Sequence, residues 1–290
     1  MTRVSDAKLG TLIPIILALS ACGPDEAETG GSTVTWTGSE ATSTGGVGST
    51  FSPTGSSTGV LEPCSQVHEG DLDVTVDTDL ASLADLGRVT GTLTITMGPR
   101  DQRDLEFLKC LHTVDISLII DQNALLESTE GLASLQSAKN VSFTDNPNLR
   151  VVTDLDKIEE LSYLAIHGNL ALEDIQLDSL KHVRLMYVGQ CIGPKASAKH
   201  LALGGLSGFD GLTSVTRLSV DGNEVLTSAD LLDAIASNGA LAPIGVATIR
   251  LNPLLSETAV HAQLDILGVT ERDVCGNAGG DLECDCPADE

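Results

Sequence analysis

The chain has 290 residues, of which 41% are hydrophobic but only 2% are aromatic, so any core must be built from aliphatic side chains. A formal net charge of −25 argues against nucleic acids and anionic lipid surfaces as partners, because an acidic surface repels phosphate. The same acidity fits a solvated, exported surface and is compatible with weak Ca²⁺ binding.

The N-terminal segment, 1–22, is typical of a bacterial secretory signal. Two basic residues precede an apolar stretch at 9–19 that is too short to span a membrane. The stretch ends in Leu-Ser-Ala-Cys at 19–22, which resembles the bacterial lipobox. The resemblance implies that Cys22 carries a diacylglycerol and becomes the new N-terminus. Because Gly23 follows instead of Asp, it also implies delivery to the outer membrane; an ordinary signal peptide that contains a cysteine is the alternative.

The next segment, 23–63, is rich in Gly, Ser and Thr and shows no apolar period. Such a composition cannot bury enough surface to offset the entropy of ordering, so we predict a disordered linker. The composition changes sharply at Cys64. We therefore predict a folded domain at 64–270, followed by a cysteine-containing tail at 271–290.

A repeated pattern, apolar-x-apolar-x-x-Asn-x-x-Leu, runs through the predicted domain. Five copies carry the asparagine, at Asn123, Asn146, Asn169, Asn223 and Asn252. Weaker copies place Asp77, Gly98 and Gln190 at the same position, and the eight positions recur at similar intervals apart from two longer steps at the end. Period two indicates a short strand in each copy.

Apolar residues at every third position precede several copies, as in Leu155, Ile158, Leu161 and Leu164. Together the two periods predict a coil that turns once per repeat and stacks parallel strands. Each asparagine falls just after a strand, where its amide can bond backbone groups of the turn that would otherwise be buried unpaired. We therefore predict an asparagine ladder, with an asparagine-lined binding strip as the alternative.

The segments 131–149 and 211–226 resemble the leucine-rich-repeat superfamily and, more closely, the receptor L domain. The resemblance implies a mainly β fold, a right-handed parallel β-helix or leucine-rich solenoid with short helices. From the residues themselves we predict a helix at 228–239 capped by Ser228 and another at 256–268 capped by Ser256. We interpret the second helix as a lid on the open end of the stack.

Six cysteines remain once Cys22 is assigned to the lipid, which allows fifteen disulfide connectivities. They are Cys64, Cys110, Cys191, Cys275, Cys284 and Cys286. The nearest candidate partner of Cys64 is Cys110, and the last three should fasten the tail. A zinc site at Cys284 and Cys286 is the alternative, disfavoured because exported thiols oxidise and no histidine lies nearby in sequence. We predict neither a metal nor a cofactor.

The sequence contains no H-E-x-x-H, P-loop or G-x-G-x-x-G motif, and its single G-x-S-x-G match, at 55–59, falls in the predicted linker, where the strand and helix that such a nucleophile turn needs are not expected. We therefore predict that the chain is not an enzyme. The favoured function is a membrane-anchored envelope lipoprotein that binds a protein or glycan of unknown identity. The only clear basic cluster, Lys195, Lys199 and His200, is the candidate interaction loop. The alternatives are a structural envelope protein and a carbohydrate-active β-helix enzyme. The enzyme is disfavoured because Phe143 and Tyr187 are placed inward, which leaves few rings to stack on sugars.

Overall fold

Short parallel strands make up most of the regular structure in a computed structural model of the chain, which describes residues 63–189, 202–239, 244–280 and 284. The strands are β1 (Gln66–His68), β2 (Leu72–Thr75), β3 (Leu86–Val89), β4 (Leu93–Thr96), β5 (Thr113–Val114), β6 (Ser117–Asp121), β7 (Asn140–Thr144), β8 (Val151–Val152), β9 (Glu160–His167), β10 (Asp174–Ile175), β11 (His182–Gly189), β12 (Ser214–Asp221), β13 (Ile244–Arg250) and β14 (Glu271–Cys275). The helices are α1 (Asp230–Ser237), α2 (Glu257–Ile266) and two 3-10 turns, Leu80–Leu83 and Glu106–Leu108.

One large sheet organises the described residues. It has nine strands in the order β14-β13-β12-β11-β9-β7-β6-β4-β2, and its strand pairs are parallel. Two smaller parallel sheets, β1-β3-β5 and β8-β10, are formed by β1, which precedes the large sheet along the chain, and by the segments between its strands. The mainly β architecture with parallel sheets and few helices is as the sequence predicted.

Each strand of the large sheet pairs with the next large-sheet strand along the chain. The shortest step along the sequence joins Leu72 to Leu93, and the longest joins Met186 to Leu218. Neighbouring parallel strands need a crossover connection. The chain therefore leaves the sheet after each strand and returns to it, in the same direction, as the next strand.

Aliphatic side chains from alternate strand positions and from the third-position pattern form one continuous core. The predicted period-three residues are buried: Leu132, Leu135, Ala138, Leu155, Ile158, Leu161, Phe209, Leu212 and Val215. Phe143 also lies fully buried within this core, as expected. Burial of such a side chain contributes about 2 kcal/mol relative to leaving it in water, which explains why the periodicity dictates the fold.

The register of β11 differs from the prediction by one residue. The sequence pattern placed Leu185 and Tyr187 inward, but the buried side chains are Met186 and Val188. Four consecutive apolar residues fit the template in either register, and pairing of Met186 with Leu164 decides between the two. Tyr187 therefore lies on the outer face of the sheet. Gln190, which the pattern placed at the asparagine position, lies outside the described residues.

The two predicted helices are present, with one corrected cap. Ser256 caps α2 by accepting a hydrogen bond from the Ala259 N–H. Ser228 does not cap α1, which begins at Asp230 after Ala229 and has no side-chain cap. The Ser228 hydroxyl instead donates to the Asp230 carboxylate.

The sheet continues beyond 270, where the sequence interpretation ended the folded domain. Strand β14 follows α2 and is an edge strand, so α2 connects two strands and is not a terminal lid. The pattern was missed because Arg272 occupies the first inward position of β14, where other copies have an apolar residue. Its guanidinium donates to the Asp265 carboxylate at 2.7 Å and so finds a partner on α2.

Candidate functional site

The middle strands of the large sheet bend near their start, and this bend shapes the outer surface. In β9 the buried residues Leu161 and Leu164 are three apart, so two consecutive side chains, Ser162 and Tyr163, face outward. The strands β11 and β12 repeat this arrangement with Arg184-Leu185 and Thr216-Arg217. The bend thus divides the outward side chains into two neighbouring sets.

The first set, which we call the tyrosine patch, consists of Tyr163, Leu185, Tyr187 and Arg217. Leu185 pairs with Tyr163 on one side and with Arg217 on the other. The rings of Tyr163 and Tyr187 are 5.6 Å apart between centroids and tilted by 41°. Burial raises the pKa of the Tyr163 hydroxyl, with a smaller contribution from Tyr187. The patch therefore combines half-buried rings with an exposed guanidinium.

The second set lines a cavity of about 410 Å³ at the strand starts, which we call the polar groove. Its polar side chains are Ser137, Lys139, Glu160, Ser162, His182, Arg184, Ser214 and Thr216. His182 Nδ1 lies 2.8 Å from Ser214 Oγ and 3.2 Å from Thr213 Oγ1, so this ring is held in place by two hydroxyls.

A second cavity, of about 680 Å³, adjoins the polar groove. The two share Ser137, Ala138 and Glu160 as lining residues. The second cavity adds the exposed carboxylates of Asp156 and Glu159, and Glu159 forms an ion pair with Lys181 at 2.8 Å. The surface at the strand starts is therefore an open channel with several charged groups, not a closed pocket.

Two further charged clusters lie on the same sheet nearer the strand ends. The carboxylate of Asp221 accepts hydrogen bonds from Ser219 Oγ and, at 3.3 Å, from Arg250 Nε. Burial raises the pKa of Asp221, and the contacts with Ser219 and Arg250 oppose that rise. Burial lowers the pKa of His167, and the neighbouring Asp145 and Asp121 act in the opposite direction. Asp221 is buried, whereas His167 and Asp121 are half-buried and Asp145 is exposed.

Within the described residues the predicted asparagines form two columns, Asn123-Asn146-Asn169 and Asn223-Asn252, and Asn277 continues the second. Position 190, which stands between the two columns in the repeat, lies outside the described residues. Within a column each backbone N–H donates to the amide oxygen of the next asparagine at 3.0–3.2 Å. All six side chains are buried, so the columns belong to the interior and do not form an exposed strip. Asn277 was missed because Arg272 breaks its copy of the pattern.

Cys64 is bonded to Cys110, and Cys275 is bonded to Cys284. The second bond excludes a thiolate zinc site that includes Cys284. The other predicted site residues lie outside the described residues: Cys22, Cys191, Cys286, Lys195, Lys199 and His200.

Within the described residues, no group of three or more His, Cys, Asp or Glu side chains could hold a metal ion. In the same part of the chain, no helix has the length and apolar character needed to cross a membrane. Comparison of the chain with protein-family models and with curated proteins gives no match.

The tyrosine patch and the polar groove were not identified from sequence. Their residues come from three strands and from the segment that precedes β7, and only the pairing of successive strands brings Lys139, Ser162, Arg184 and Thr216 to one surface. The sequence did contain a signal for them, because two residues separate the apolar positions Leu161 and Leu164. The sequence analysis used this spacing to predict the coil and did not consider where the two intervening side chains would point.

Proposed function

We propose that the chain is a lipid-anchored protein of the bacterial envelope whose folded part is a non-catalytic binding module. We further propose that this part is a right-handed β-solenoid of the receptor L-domain type. Two features support the solenoid: one strand of each sequence repeat pairs in parallel with the strand of the next repeat, and asparagine columns follow these strands.

The lipobox-like sequence at 19–22 supports the anchor, and the composition of 23–63 supports a flexible tether between the membrane and the module. Two or three acyl chains on Cys22 would hold the protein firmly, since each buried methylene contributes about 0.8 kcal/mol. The glycine at 23 supports delivery to the outer membrane.

Labelled palmitate tests the anchor in a diderm host that expresses the full chain. We expect label in the wild-type protein and in a Ser20→Ala control, and none in Cys22→Ala. We also expect the labelled protein to fractionate with the outer membrane. Equal labelling of Cys22→Ala, or release of wild-type protein into the soluble fraction, would contradict the anchor.

One observation supports binding most directly: the tyrosine patch joins two rings, an aliphatic side chain and an exposed arginine on the face of a sheet. Tyr and Arg are the residues that most often dominate binding energy at interfaces. In a chain with a 2% aromatic fraction, the placement of both tyrosines on one outer face concentrates this chemistry in one place.

A capture experiment tests the binding module. The full-length lipoprotein is immobilised in detergent micelles, and detergent-solubilised bacterial envelope extract is passed over it. We expect Arg217→Glu and Tyr187→Asp to reduce the captured mass about tenfold, as for a central interface residue. Leu254→Asp is the matched control, because it places a carboxylate on an apolar side chain that is 55% exposed and lies outside the patch.

Unfolding curves of all three variants should coincide with that of the wild type, which shows that a loss of capture is not a loss of fold. Equal capture by all variants would contradict the binding module and would favour a purely structural envelope protein.

A further inference from the structure

Among the cations of the described residues, Arg88, Arg103, Lys181, Arg250 and Arg272 form ion pairs with carboxylates, and Arg100 donates to two backbone carbonyls. Arg184 in the polar groove and Arg217 in the tyrosine patch form no side-chain hydrogen bond or ion pair within the part of the chain that the structure describes. A protein with a net charge of −25 thus leaves two guanidinium groups available on one surface.

Arg184 and Arg217 lie on neighbouring strands, on either side of the bend. Leu185, which follows Arg184, pairs with Arg217, so the two arginines lie on adjacent strands with a single residue of offset. Lys139 adds a third cation to the groove, and Glu160 is the one acidic residue that lines it. The charge of the groove itself is therefore opposite to that of the protein as a whole, which favours an anionic ligand there, whereas the adjoining cavity carries Asp156, Glu159 and Glu160 against Lys157.

The uncharged lining indicates which anion. Hydroxyls of Ser162, Ser214 and Thr216 face the groove. Hydroxyl groups both donate and accept, so they complement the hydroxyls of a sugar. The groove is open to solvent and borders the tyrosine patch on the same strands, which suits an extended chain that runs from Arg184 toward Arg217 better than a small molecule. The rings of the tyrosine patch lie next to this channel and offer faces for stacking.

We propose that the polar groove and the adjoining tyrosine patch bind an acidic polysaccharide that carries carboxylates on its sugar rings. Arg184 and Arg217 pair with carboxylates, because a planar guanidinium presents two parallel donors to such a group. The serine and threonine hydroxyls bond sugar hydroxyls, and Tyr163 and Tyr187 contact ring faces. This inference rests on the proposed binding function and specifies its ligand class.

Polygalacturonate oligomers are the probe, and the same oligomers with methyl-esterified carboxyls are the matched ligand control. Binding to the full-length lipoprotein in micelles is measured by calorimetry at low and high salt. We expect binding of the free-acid oligomers that weakens with salt, and at least tenfold weaker binding of the esterified oligomers.

Arg184→Gln and Arg217→Gln should each weaken binding about tenfold, because each removes a charge-assisted pair. Arg150→Gln is the protein control, since it removes an equal charge from an exposed arginine that lines neither the groove nor the patch. Equal loss in Arg150→Gln would overturn the proposal in favour of non-specific attraction. Equal binding of the esterified oligomers would overturn the role of the carboxylates.

A polyglutamate peptide distinguishes a polysaccharide from an acidic polypeptide. Binding of the peptide as tight as that of the oligomers would overturn the assignment to sugars. Shortening of the oligomers during incubation would overturn the non-catalytic part of the proposed function. If envelope extract is captured through the tyrosine patch but no oligomer binds, the binding function stands and the ligand class proposed here fails.

Discussion

Asn123 donates both its backbone N–H and its side-chain amide to Oδ1 of Asn146, at 3.0 and 2.9 Å, although 23 residues separate the two. Asn146 repeats the same arrangement toward Asn169. The side-chain oxygen of Asn146 thus accepts the backbone N–H of the asparagine one repeat before it, and the backbone N–H of Asn146 donates to the asparagine one repeat after it. Because these groups are buried, the column couples successive strands through bonds that no apolar residue can replace.

Replacement of Asn146 by Ala should lower the free energy of unfolding by about 3 kcal/mol, since it leaves the Asn123 N–H and the Ile120 carbonyl buried without the partners that Asn146 provides. Each such loss costs about 1–3 kcal/mol. Urea unfolding at pH 7 measures the difference. Asn148→Ala is the control: Asn148 is exposed and bonds only the Ala124 carbonyl, so its loss should be small. Equal effects of the two changes would contradict a structural role for the column.

The residue before each column asparagine adopts a left-handed backbone. Its φ is +55° at Gln122, +51° at Asp145, +71° at Gly168, +72° at Gly222, +57° at Leu251 and +67° at Gly276. Outside glycine this conformation costs about 1 kcal/mol. The turn therefore consists of a left-handed residue followed by an asparagine, a paired signal that the repeat pattern did not include.

Gln122→Gly should leave stability unchanged or raise it by up to about 1 kcal/mol, because the left-handed strain outweighs the entropy of glycine. Gly168→Ala should destabilise by more than that, since a Cβ there would lie 2.0 Å from Asp145 Oδ1 and 2.9 Å from its backbone nitrogen. Thermal unfolding of both variants tests the pair. A stabilised Gly168→Ala would show that this turn is not constrained as described.

The periodicity of a single chain predicted much of the core because burial repeats with the strand and the coil. Leu155, Ile158 and Leu161 are buried for the reason the pattern gave. Tyr187 shows where such reasoning fails: in a run of four apolar residues the alternation is ambiguous, and only pairing with β9 and β12 fixes the register. The polar groove could not be predicted from the sequence, because its residues belong to different repeats and a local pattern does not show which residues of those repeats lie side by side.

Protonation of His167 should destabilise the protein as the pH falls. Burial lowers the pKa of His167 below its ordinary value of 6.5, so the unfolded chain takes up the proton first. The contribution of neutral His167 to the free energy of unfolding is complete above pH 6.5, and it is lost progressively as the pH falls from there toward the lower pKa of the folded state. Urea unfolding between pH 7.5 and 5.5 should show this loss in the wild type and a smaller slope in His167→Gln. Equal slopes in the wild type and in His167→Gln would show that this ring does not cause the loss.

The two disulfides should differ in their effect on stability. The bond from Cys64 to Cys110 joins residues separated by 46 positions, and the bond from Cys275 to Cys284 joins residues separated by 9. Loss of chain entropy in the unfolded state then predicts stabilisation of about 4 kcal/mol for the first bond and about 2.6 kcal/mol for the second. Paired serine variants of each bond, compared by guanidinium unfolding, measure both values. A larger effect of the shorter loop would show that native contacts of the tail dominate over chain entropy.

The buried pair of Asp221 and Arg250 offers a test of charge burial. Their side chains are 5% and 12% exposed, so removal of one partner leaves the other charge without compensation. Arg250→Met should therefore destabilise the protein by about 3–5 kcal/mol at pH 7. Because burial already raises the pKa of Asp221, the carboxyl of this variant should take up a proton at still higher pH, and the destabilisation should diminish as the pH falls.

The double variant Arg250→Met with Asp221→Asn removes both charges and should recover most of the lost stability. The exposed pair of Arg88 and Asp115 is the control, with side chains 46% and 29% exposed. Arg88→Met should cost far less, because water solvates the remaining carboxylate. Urea unfolding of all variants at pH 5, 7 and 8 gives the comparison. If Arg250→Met and Arg88→Met had equal effects at every pH, the cost could not arise from an uncompensated buried charge, and the enclosure of Asp221 would have no energetic consequence.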